Sequence, residues 1–140
     1  MIQETNLTGQ VALVTGGGRG LGRAIALRLA AAGAHVAIVA RSADQLAETV
    51  AQIKLTGGHG QAFVADVTDQ HAVKAMAQAV EQDLGPISLL VNNAGIAGPA
   101  GPLWKNDPQE WWRCVEISLR GTLLCCQAVV PGIDVYKRQT

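Results

Sequence analysis

Cysteine is scarce in this 140-residue sequence, which contains only Cys114, Cys125 and Cys126. An odd number of cysteines, grouped late in the chain, argues against a disulfide framework. Neither a C-x-x-C nor an H-x-x-x-H spacing, both typical of metal sites, occurs in the sequence. We therefore predict reduced thiols and no metal site.

Long apolar runs and a leader segment are also missing. No uninterrupted apolar run reaches the roughly 18 residues that suggest a membrane span. The first six residues, MIQETN, lack the charged start, apolar middle and small-residue cleavage site of a secretory signal. We therefore expect a cytoplasmic protein that has no membrane partner.

The sequence has no excess of charge of either sign. Eleven Lys and Arg residues balance eleven Asp and Glu residues, and charged residues make up 16% of the chain. This balance provides no basic field for coating a polyanion, so we expect no nucleic-acid partner. The 49% hydrophobic content is instead typical of one globular domain and not of a disordered chain.

Short apolar runs alternate with helical patterns along the chain. Nearly continuous Val, Ile, Leu and Ala predict strands at residues 11–15, 35–40, 61–65 and 87–92. Runs of this kind are typical of parallel strands that helices cover on both faces. The alternation of four strand patterns with four helix patterns therefore predicts an α/β fold built on a parallel sheet.

The helical patterns have recognisable ends and apolar faces. Ser42 is a predicted N-cap, and Asp107 followed by Pro108 is another. The last predicted helix, which runs toward Val130, is apolar around much of its circumference, so we expect it to be buried on more than one side, against a partner subunit. The predicted apolar faces of the first three helices are Leu21, Ile25 and Leu29; Leu46, Val50 and Ile53; and Val73, Met76, Ala77, Val80 and Leu84.

A glycine-rich motif, TGGGRGLG at residues 15–22, lies between the first predicted strand and helix. Glycine permits a tight turn there, and the free amides of a helix N-terminus suit a pyrophosphate. The P-loop of a nucleoside triphosphatase would require Lys and then Ser or Thr where this chain has Arg23 and Ala24. The motif therefore predicts a dinucleotide phosphate site, with a plain strand-to-helix turn as the alternative.

The T-G-x-x-x-G-x-G pattern of residues 15–22, together with Asn92-Asn93-Ala94-Gly95 after the fourth strand, resembles the short-chain dehydrogenase/reductase (SDR) family. The resemblance implies a Rossmann-type doubly wound parallel sheet, truncated after about four strands, with residues 1–133 as the N-terminal half of the domain. It also implies an oxidoreductase that moves a hydride between a nicotinamide and a carbonyl or secondary alcohol. The resemblance implies that the parent protein, the longer protein to which this chain would belong, is a homo-oligomer. Within the family, the resemblance favours 3-oxoacyl-[acyl-carrier-protein] reductase-like enzymes.

The resemblance also assigns cofactor-binding residues. Asp66 and Val67 match the pair that contacts adenine, and a carboxylate at a strand end can accept a hydrogen bond from an exocyclic amine. A solvated loop aspartate before a Thr68 or Asp69 cap is the alternative. Asn93 would hold the central strands, with the Ala94-Gly95 backbone near the nicotinamide ribose. The complete implied set is Gly16, Gly18, Arg19, Gly20, Leu21, Gly22, Arg41, Asp66, Val67, Asn93, Ala94 and Gly95.

The end of the second strand bears on the choice of cofactor. NAD enzymes place an acidic residue there to bind a ribose hydroxyl, whereas this chain has Ala40 followed by Arg41. The Arg41 guanidinium can pair with a 2′-phosphate, and Arg19 is a second candidate cation. We therefore predict that NADP(H) is favoured over NAD(H). A solvated Arg41 on the surface is the alternative.

The catalytic residues of the family are only partly represented. Ser118, within Ile117-Ser118-Leu119-Arg120-Gly121, stands where the family places a catalytic Asn. A hydroxyl can bridge a water but has no amide donor pair, and it can instead bond to its own helical turn. The family's Tyr-x-x-x-Lys cannot be placed, because Thr140 stands four residues after Tyr136. The strand that the resemblance implies for the family's Ser is expected beyond residue 140. We therefore expect nucleotide binding without turnover, and a noncatalytic dinucleotide-binding or regulatory module is the alternative function.

The end of the sequence differs from the family pattern. The hexapeptide DVYKRQ at residues 134–139 corresponds to the codons GAT GTG TAT AAG AGA CAG, which resemble a transposon adapter used in sequencing libraries. We therefore predict that residues 134–140 are a non-native tail produced by adapter read-through, with a short native basic tail as the alternative. A sheet truncated here would expose the strand of Leu89, Leu90 and Val91 as an edge, so we expect a marginally stable, aggregation-prone chain.

Overall fold

The computed structural model describes residues 5–133, which contain one parallel four-stranded sheet. The strand order is β3-β2-β1-β4, and each neighbouring pair is parallel. The α/β fold and the parallel sheet predicted from the sequence are therefore confirmed. The strands are β1 (Val11–Thr15), β2 (His35–Ala40), β3 (His59–Val64) and β4 (Leu89–Val91).

Helices follow the strands and cover both faces of the sheet. They are α1 (Gly20–Ala31), α2 (Ala43–Leu55), α3 (Gln70–Leu84), α4 (Pro108–Val115) and α5 (Gly121–Val129). A π-helical turn, Glu116–Arg120, joins α4 to α5 in one continuous rod. The predicted caps are present, because Ser42 accepts a hydrogen bond from the Gln45 amide and Asp107 accepts one from the Gln109 amide.

Alternate residues of β1 and β2 point to opposite sides of the sheet, as the pleat of a strand requires. Leu13 and Val39 pack in the core that includes residues of α3 and α5. Val14 and Ile38 pack in the second core, which includes residues of α1 and α2. The doubly wound arrangement predicted from the sequence is therefore confirmed.

The outer strands are less covered than predicted. β3 contains no fully buried residue, and the Val64 side chain is 62% exposed. β4 extends only over Leu89–Val91, where it pairs with β1, so its predicted range of 87–92 is too long. The expectation of burial on both faces is thus wrong for β3 and β4, which are the two outer strands of the sheet within residues 5–133.

The buried face of α1 also differs from the prediction. Leu21 is 70% exposed, and the buried residues are Gly22, Ala26 and Ala30. Small side chains allow the helix backbone to approach the sheet closely, which larger side chains at these positions would prevent. The predicted stripe is therefore wrong at Leu21, whereas Ile25 and Leu29 are half-buried and pack against the second core.

The rod formed by α4, the π turn and α5 is only partly covered by the chain. Leu124, Cys125 and Val129 are buried in the core beside α3, whereas Leu123 and Val130 are exposed. Burial on more than one side is therefore not achieved by the described residues, and a partner subunit stays a prediction. By length and composition the segment Pro108–Gly132 could cross a membrane, but one such helix is weak evidence, because core helices meet the same criterion.

Candidate functional site: a cleft at the carboxyl ends of the strands

A cleft of about 590 Å³ lies at the carboxyl ends of the four strands. The loops that follow β1, β2, β3 and β4 all contribute to its walls. This is the edge at which open α/β sheets bind ligands. All twelve residues that the sequence assigned to a cofactor line this one cleft: Gly16, Gly18, Arg19, Gly20, Leu21, Gly22, Arg41, Asp66, Val67, Asn93, Ala94 and Gly95.

The glycine-rich loop is held against β2 and α1 by its backbone. Gly16 has a φ of +68° and Gly20 a φ of +55°, a region that L side chains rarely adopt. The Gly16 amide donates to the Val39 carbonyl at 2.7 Å. At Gly22 a Cβ would overlap the Gly16 carbonyl oxygen and the Asn93 side-chain amide. The loop and the first turn of α1 are therefore in close contact, and only glycine fits between them.

The N-terminus of α1 opens toward this cleft. Arg19, the N-cap residue, makes no side-chain cap hydrogen bond, and the first turn contains no acidic residue. The first amides of a helix lack partners within the helix, and the helix dipole places partial positive charge there. The cleft can therefore bind an anion at this end, as glycine-rich loops in dinucleotide-binding proteins do.

A pair of side chains fastens β1 to the segment that follows β4. Thr15 Oγ1 accepts hydrogen bonds from the amides of Asn93, at 3.1 Å, and Ala94, at 3.0 Å. The Asn93 side-chain amide donates in return to the Thr15 carbonyl at 3.1 Å and to the Gly16 carbonyl at 3.3 Å. We call this group the Thr15–Asn93 clasp. The sequence assigned Asn93 to holding the strands but gave Thr15 no role of its own.

Asp66 forms one wall of the cleft and also caps its own turn. Its Oδ1 accepts hydrogen bonds from the Thr68 amide at 2.9 Å and from the Thr68 hydroxyl at 2.7 Å. The bond from the Thr68 amide holds the pKa of Asp66 below its ordinary value, burial opposes this, and the Thr68 hydroxyl, Arg41 and Arg113 lower the pKa further. The cofactor interpretation and the loop-aspartate alternative therefore describe the same residue, which serves as a turn former facing the cleft.

A second, smaller cleft of about 370 Å³ shares Arg41, Asp66 and Ile117 with the first. Its opposite wall is formed by Gln109, Arg113 and Glu116, which come from α4 and the π turn. Sequence reasoning missed Arg113, because no motif connects α4 to the ends of β2 and β3. It also missed Gln45, which lines the larger cleft and occupies the space that a side chain on Gly18 would need.

Ser118 lies in the π turn between α4 and α5. A Cβ placed on Gly95 would lie 3.3 Å from the Ser118 hydroxyl oxygen, so this serine lies against the backbone at the nicotinamide end of the predicted site. Ser118 is not among the residues that line the larger cleft. A π turn in a helix is frequently found at functional sites, and the sequence did not predict this one.

Two further sequence-based predictions concern catalytic and metal-binding residues. The one tyrosine of the sequence, Tyr136, belongs to residues 134–140, which lie outside the described residues together with the predicted tail. Within residues 5–133, no group of three or more His, Cys, Asp or Glu side chains is arranged to hold a metal ion. The described residues thus form a cleft whose lining contains no tyrosine.

Comparison with known proteins places the chain in a family. A family model described as short chain dehydrogenase matches residues 10–140. The chain belongs to the short chain dehydrogenase family. A short chain dehydrogenase from the fungus Pseudocercospora fijiensis is 40% identical over 133 residues, which cover 93% of this chain and 42% of that protein. The chain therefore spans less than half the length of this curated relative, and its family is one of oxidoreductases.

Two solved structures of the same family resemble the chain closely. A metagenomic short-chain oxidoreductase in complex with NADP has a TM-score of 0.84 and 36% identity, covering 90% of this chain and 57% of that one. An NAD⁺-bound xylitol dehydrogenase has a TM-score of 0.87 and 32% identity, and the match covers 90% of this chain and 48% of that one. The Rossmann-like fold is therefore shared, and these relatives hold nicotinamide cofactors of both kinds.

Proposed function

We propose that the chain is the nucleotide-binding part of an NADP(H)-dependent short chain dehydrogenase. The observation that supports this most directly is that the twelve residues assigned from the sequence converge on one cleft. The uncapped first turn of α1 faces the same cleft, and Gly22 leaves no space for a side chain between that turn and the loop. These features fit a pyrophosphate between the glycine-rich loop and the loop after β4.

Each end of the cleft has a distinct part in the proposed reaction. The amides of the glycine-rich loop and the first turn of α1 would bind the pyrophosphate. Asp66 and Val67 would face the adenine, and the backbone of Ala94 and Gly95 would lie beside the nicotinamide ribose. The bound nicotinamide supplies the hydride acceptor or donor for a carbonyl or secondary alcohol. The chain's own residues orient that ring, and Ser118 is a candidate to position a water near Gly95.

The preference for NADP(H) over NAD(H) is proposed from the end of β2. Ala40 provides no carboxylate to bind a ribose 2′-hydroxyl and would not repel a 2′-phosphate. Arg41 is exposed and lines both clefts, and Arg113 lines the smaller one, where both guanidinium groups act on Asp66. A planar guanidinium can pair with a phosphate through two parallel hydrogen bonds. The NADP complex of one relative supports this assignment, whereas the NAD⁺ complex of the other shows that the fold permits both cofactors.

Within the family, the sequence resemblance favours a more specific activity, that of a 3-oxoacyl-[acyl-carrier-protein] reductase-like enzyme. In this proposal the substrate is a small carbonyl or alcohol compound, the parent protein is a cytoplasmic homo-oligomer, and neither nucleic acid nor a membrane is a partner. The chain spans 42% of the length of its curated relative, so the substrate is best identified on a longer protein that carries this sequence.

The cofactor assignment is tested by calorimetric titration of the chain with NADPH and NADH. Charge-assisted hydrogen bonds contribute about 1.5–3 kcal/mol each, so NADPH should bind roughly ten- to a hundredfold more tightly. Arg41→Ala should remove most of this preference, whereas Arg28→Ala, at an exposed arginine on α1, should preserve it. Equal affinity for both cofactors would contradict the NADP(H) preference, and binding of neither would contradict the site.

The second candidate function is a noncatalytic dinucleotide-binding or regulatory module. It is favoured by Ser118, which stands where the family has a catalytic asparagine. The uninterrupted reading frame of the source gene distinguishes the two functions. A Ser and a Tyr-x-x-x-Lys in that frame support the enzyme, and their absence supports the binding module.

A further inference from the structure

The carbonyl groups of the glycine-rich loop are fastened to α2 by side chains that do not line the cleft. Thr49 on α2 is fully buried, and its hydroxyl lies 3.1 Å from the carbonyl oxygens of Gly17 and Gln45 and 3.4 Å from that of Gly18. The Gly18 carbonyl accepts a hydrogen bond from Arg23 Nη2 at 2.7 Å. Arg23 therefore holds the Gly18 peptide group, and the Gly17 carbonyl points toward Thr49.

Arg23 connects these contacts through its guanidinium. Nε donates to the Thr49 hydroxyl at 3.0 Å, while Nη1 and Nη2 donate to the two carboxylate oxygens of Glu48 at 3.0 Å and 2.9 Å. A guanidinium is planar and its donors have fixed directions, so four hydrogen bonds from one group leave it little freedom to rotate. We call Arg23, Glu48 and Thr49 the loop clamp.

The ion pair in the loop clamp contributes little to stability by itself. The Glu48 side chain is 60% exposed and that of Arg23 is 20% exposed, and exposed ion pairs have small net free energies. The fork contacts of Glu48 instead fix the plane of the guanidinium, so that Nη2 points at the Gly18 carbonyl. The effect of the loop clamp is therefore geometric and local.

The direction of a carbonyl group determines the direction of the next amide. In a trans peptide the C=O and the following N–H point in opposite directions, and the described residues contain no cis peptide bond. With the Gly18 carbonyl directed to Arg23, the Arg19 amide points away from the loop clamp. The same reasoning directs the Gly18 amide away from Thr49, and both residues line the larger cleft.

We propose that Arg23 is a positioning residue for cofactor binding, which acts by orienting the Gly18 peptide group so that loop amides face the pyrophosphate. This inference rests on the proposed function and adds to it a residue outside the cleft. A loop with freely rotating peptides would have to be ordered when the anion binds. A loop that is already oriented avoids that cost and binds more tightly.

The test compares two probes on the full 140-residue chain. Adenosine 2′-monophosphate carries the adenine and the 2′-phosphate but no pyrophosphate, whereas NADPH carries all three. Arg23→Met should weaken NADPH binding about tenfold, as expected when one backbone residue that is no longer held must be ordered on binding, and should leave adenosine 2′-monophosphate binding unchanged. Arg28→Met removes an exposed arginine from the same helix and should alter neither.

A second variant guards against misfolding of the first. Glu48→Gln weakens the contacts that fix the guanidinium plane but leaves Arg23 able to bond to Gly18, so it should weaken NADPH binding about two- to fivefold, less than Arg23→Met. Two results for Arg23→Met would overturn the positioning role: an equal loss of affinity for both probes, or no loss of NADPH affinity in a folded variant.

The two proposals can fail separately. If the unaltered chain binds neither probe, the proposed function is wrong, and the loop clamp is then judged by NMR without any ligand. Arg23→Met should shift the backbone amide signals of Gly18 and Arg19, and Arg28→Met should not. Unchanged signals for these two amides in Arg23→Met would refute the orienting action of the clamp.

Discussion

Asp66 shows how a single side chain can be compatible with two interpretations of a sequence. Thr68 holds Asp66 in a capped turn, as the loop-aspartate alternative predicts, and the same residue lines the cleft, so contact with adenine stays a prediction. Hydrogen bonds to the charged form of a carboxylate favour ionisation. The carboxylate is therefore kept both oriented and charged before any ligand arrives.

The pKa of Asp66 provides the first prediction. Because the folded chain holds this pKa below the ordinary value of 3.8, the ionised carboxylate stabilises the fold at pH values above about 3.8. That stabilisation is lost as the pH falls through the lowered pKa. The free energy of unfolding of Asp66→Asn should therefore fall less than that of the unaltered chain when the pH drops below 3.8. A carboxyl NMR titration should show Asp66 titrating below 3.8, and Thr68→Val should raise its pKa toward that value.

Thr68→Val removes the hydroxyl bond and keeps the amide bond, so a partial upward shift is expected. Thr56→Val, which removes a hydroxyl bonded to the Ile53 carbonyl at the end of α2, serves as the control and should leave the pKa of Asp66 unchanged. An Asp66 pKa at or above 3.8 in the unaltered chain would contradict the prediction.

The three thiols should differ in reactivity. Burial, together with the smaller effect of the neighbouring Cys126, raises the pKa of Cys125 to about 11, whereas Cys114 and Cys126 are only half-buried. The thiolate is the reactive form, so Cys125 should resist alkylation at pH 8 in the folded chain. Mass spectrometry after brief iodoacetamide treatment should find label on Cys114 and Cys126 first. Equal labelling of Cys125 without denaturant would show that α5 is not packed as described.

At the scale of elements, the Thr15–Asn93 clasp joins two strand ends that are distant in the sequence. Thr15 is 2% exposed, and its hydroxyl oxygen is the acceptor for two backbone amides. The clasp fixes the loop after β4 against the glycine-rich loop and so determines the width of the cleft between them. The stability of this cleft therefore depends on a residue that makes no predicted contact with the cofactor.

Removing the Thr15 hydroxyl should destabilise the chain. Thr15→Val keeps the shape but leaves the amides of Asn93 and Ala94 without their acceptor, at a cost of about 1–3 kcal/mol. Urea denaturation should report this loss as a lower midpoint. Thr122→Val, which removes a hydroxyl bonded to its own helical turn at the Ser118 carbonyl, should change stability by less than about 0.5 kcal/mol. Equal midpoints for Thr15→Val and the unaltered chain would show that the clasp carries no stability.

Among the strands, the sequence predicts the two central ones best. The observed bounds of β1 and β2 match the predicted ranges, because both are central strands with continuous apolar runs. β4 is shorter than its apolar run, since only Leu89–Val91 has a neighbouring strand to pair with. The buried face of α1 differs from the prediction because close packing selects Gly22, Ala26 and Ala30 over larger side chains, and a periodicity of large apolar residues does not report such contacts.

At the scale of the whole molecule, motifs located the cleft, whereas contacts between distant segments completed it. Residues that carry a motif, such as Gly16 and Asn93, were found because their spacing has a chemical reason. Arg113 and Arg23 were not assigned, because their importance arises from packing α4 and α1 against other elements. Such contacts depend on side-chain geometry across the fold, which has no local signature in a single sequence.

The last prediction concerns association through the sheet edge at β4. Leu89, Leu90 and Val91 are only half-buried, and as an edge strand β4 offers unpaired backbone groups to another chain. We expect the chain to form concentration-dependent aggregates on size-exclusion chromatography and to melt irreversibly. Hydrogen exchange should be faster at β4 than at β1, because β1 is paired on both sides.

A charge at the opposite edge tests which strand is responsible. Val64→Lys places a lysine at an exposed position of β3 without loss of buried area, and charged residues discourage pairing at a strand edge. If β4 mediates association, Val64→Lys should aggregate as the unaltered chain does. A monomeric Val64→Lys variant would show that β3, and not β4, mediates association. A sharp, reversible melt of the unaltered chain would show that neither outer strand causes aggregation.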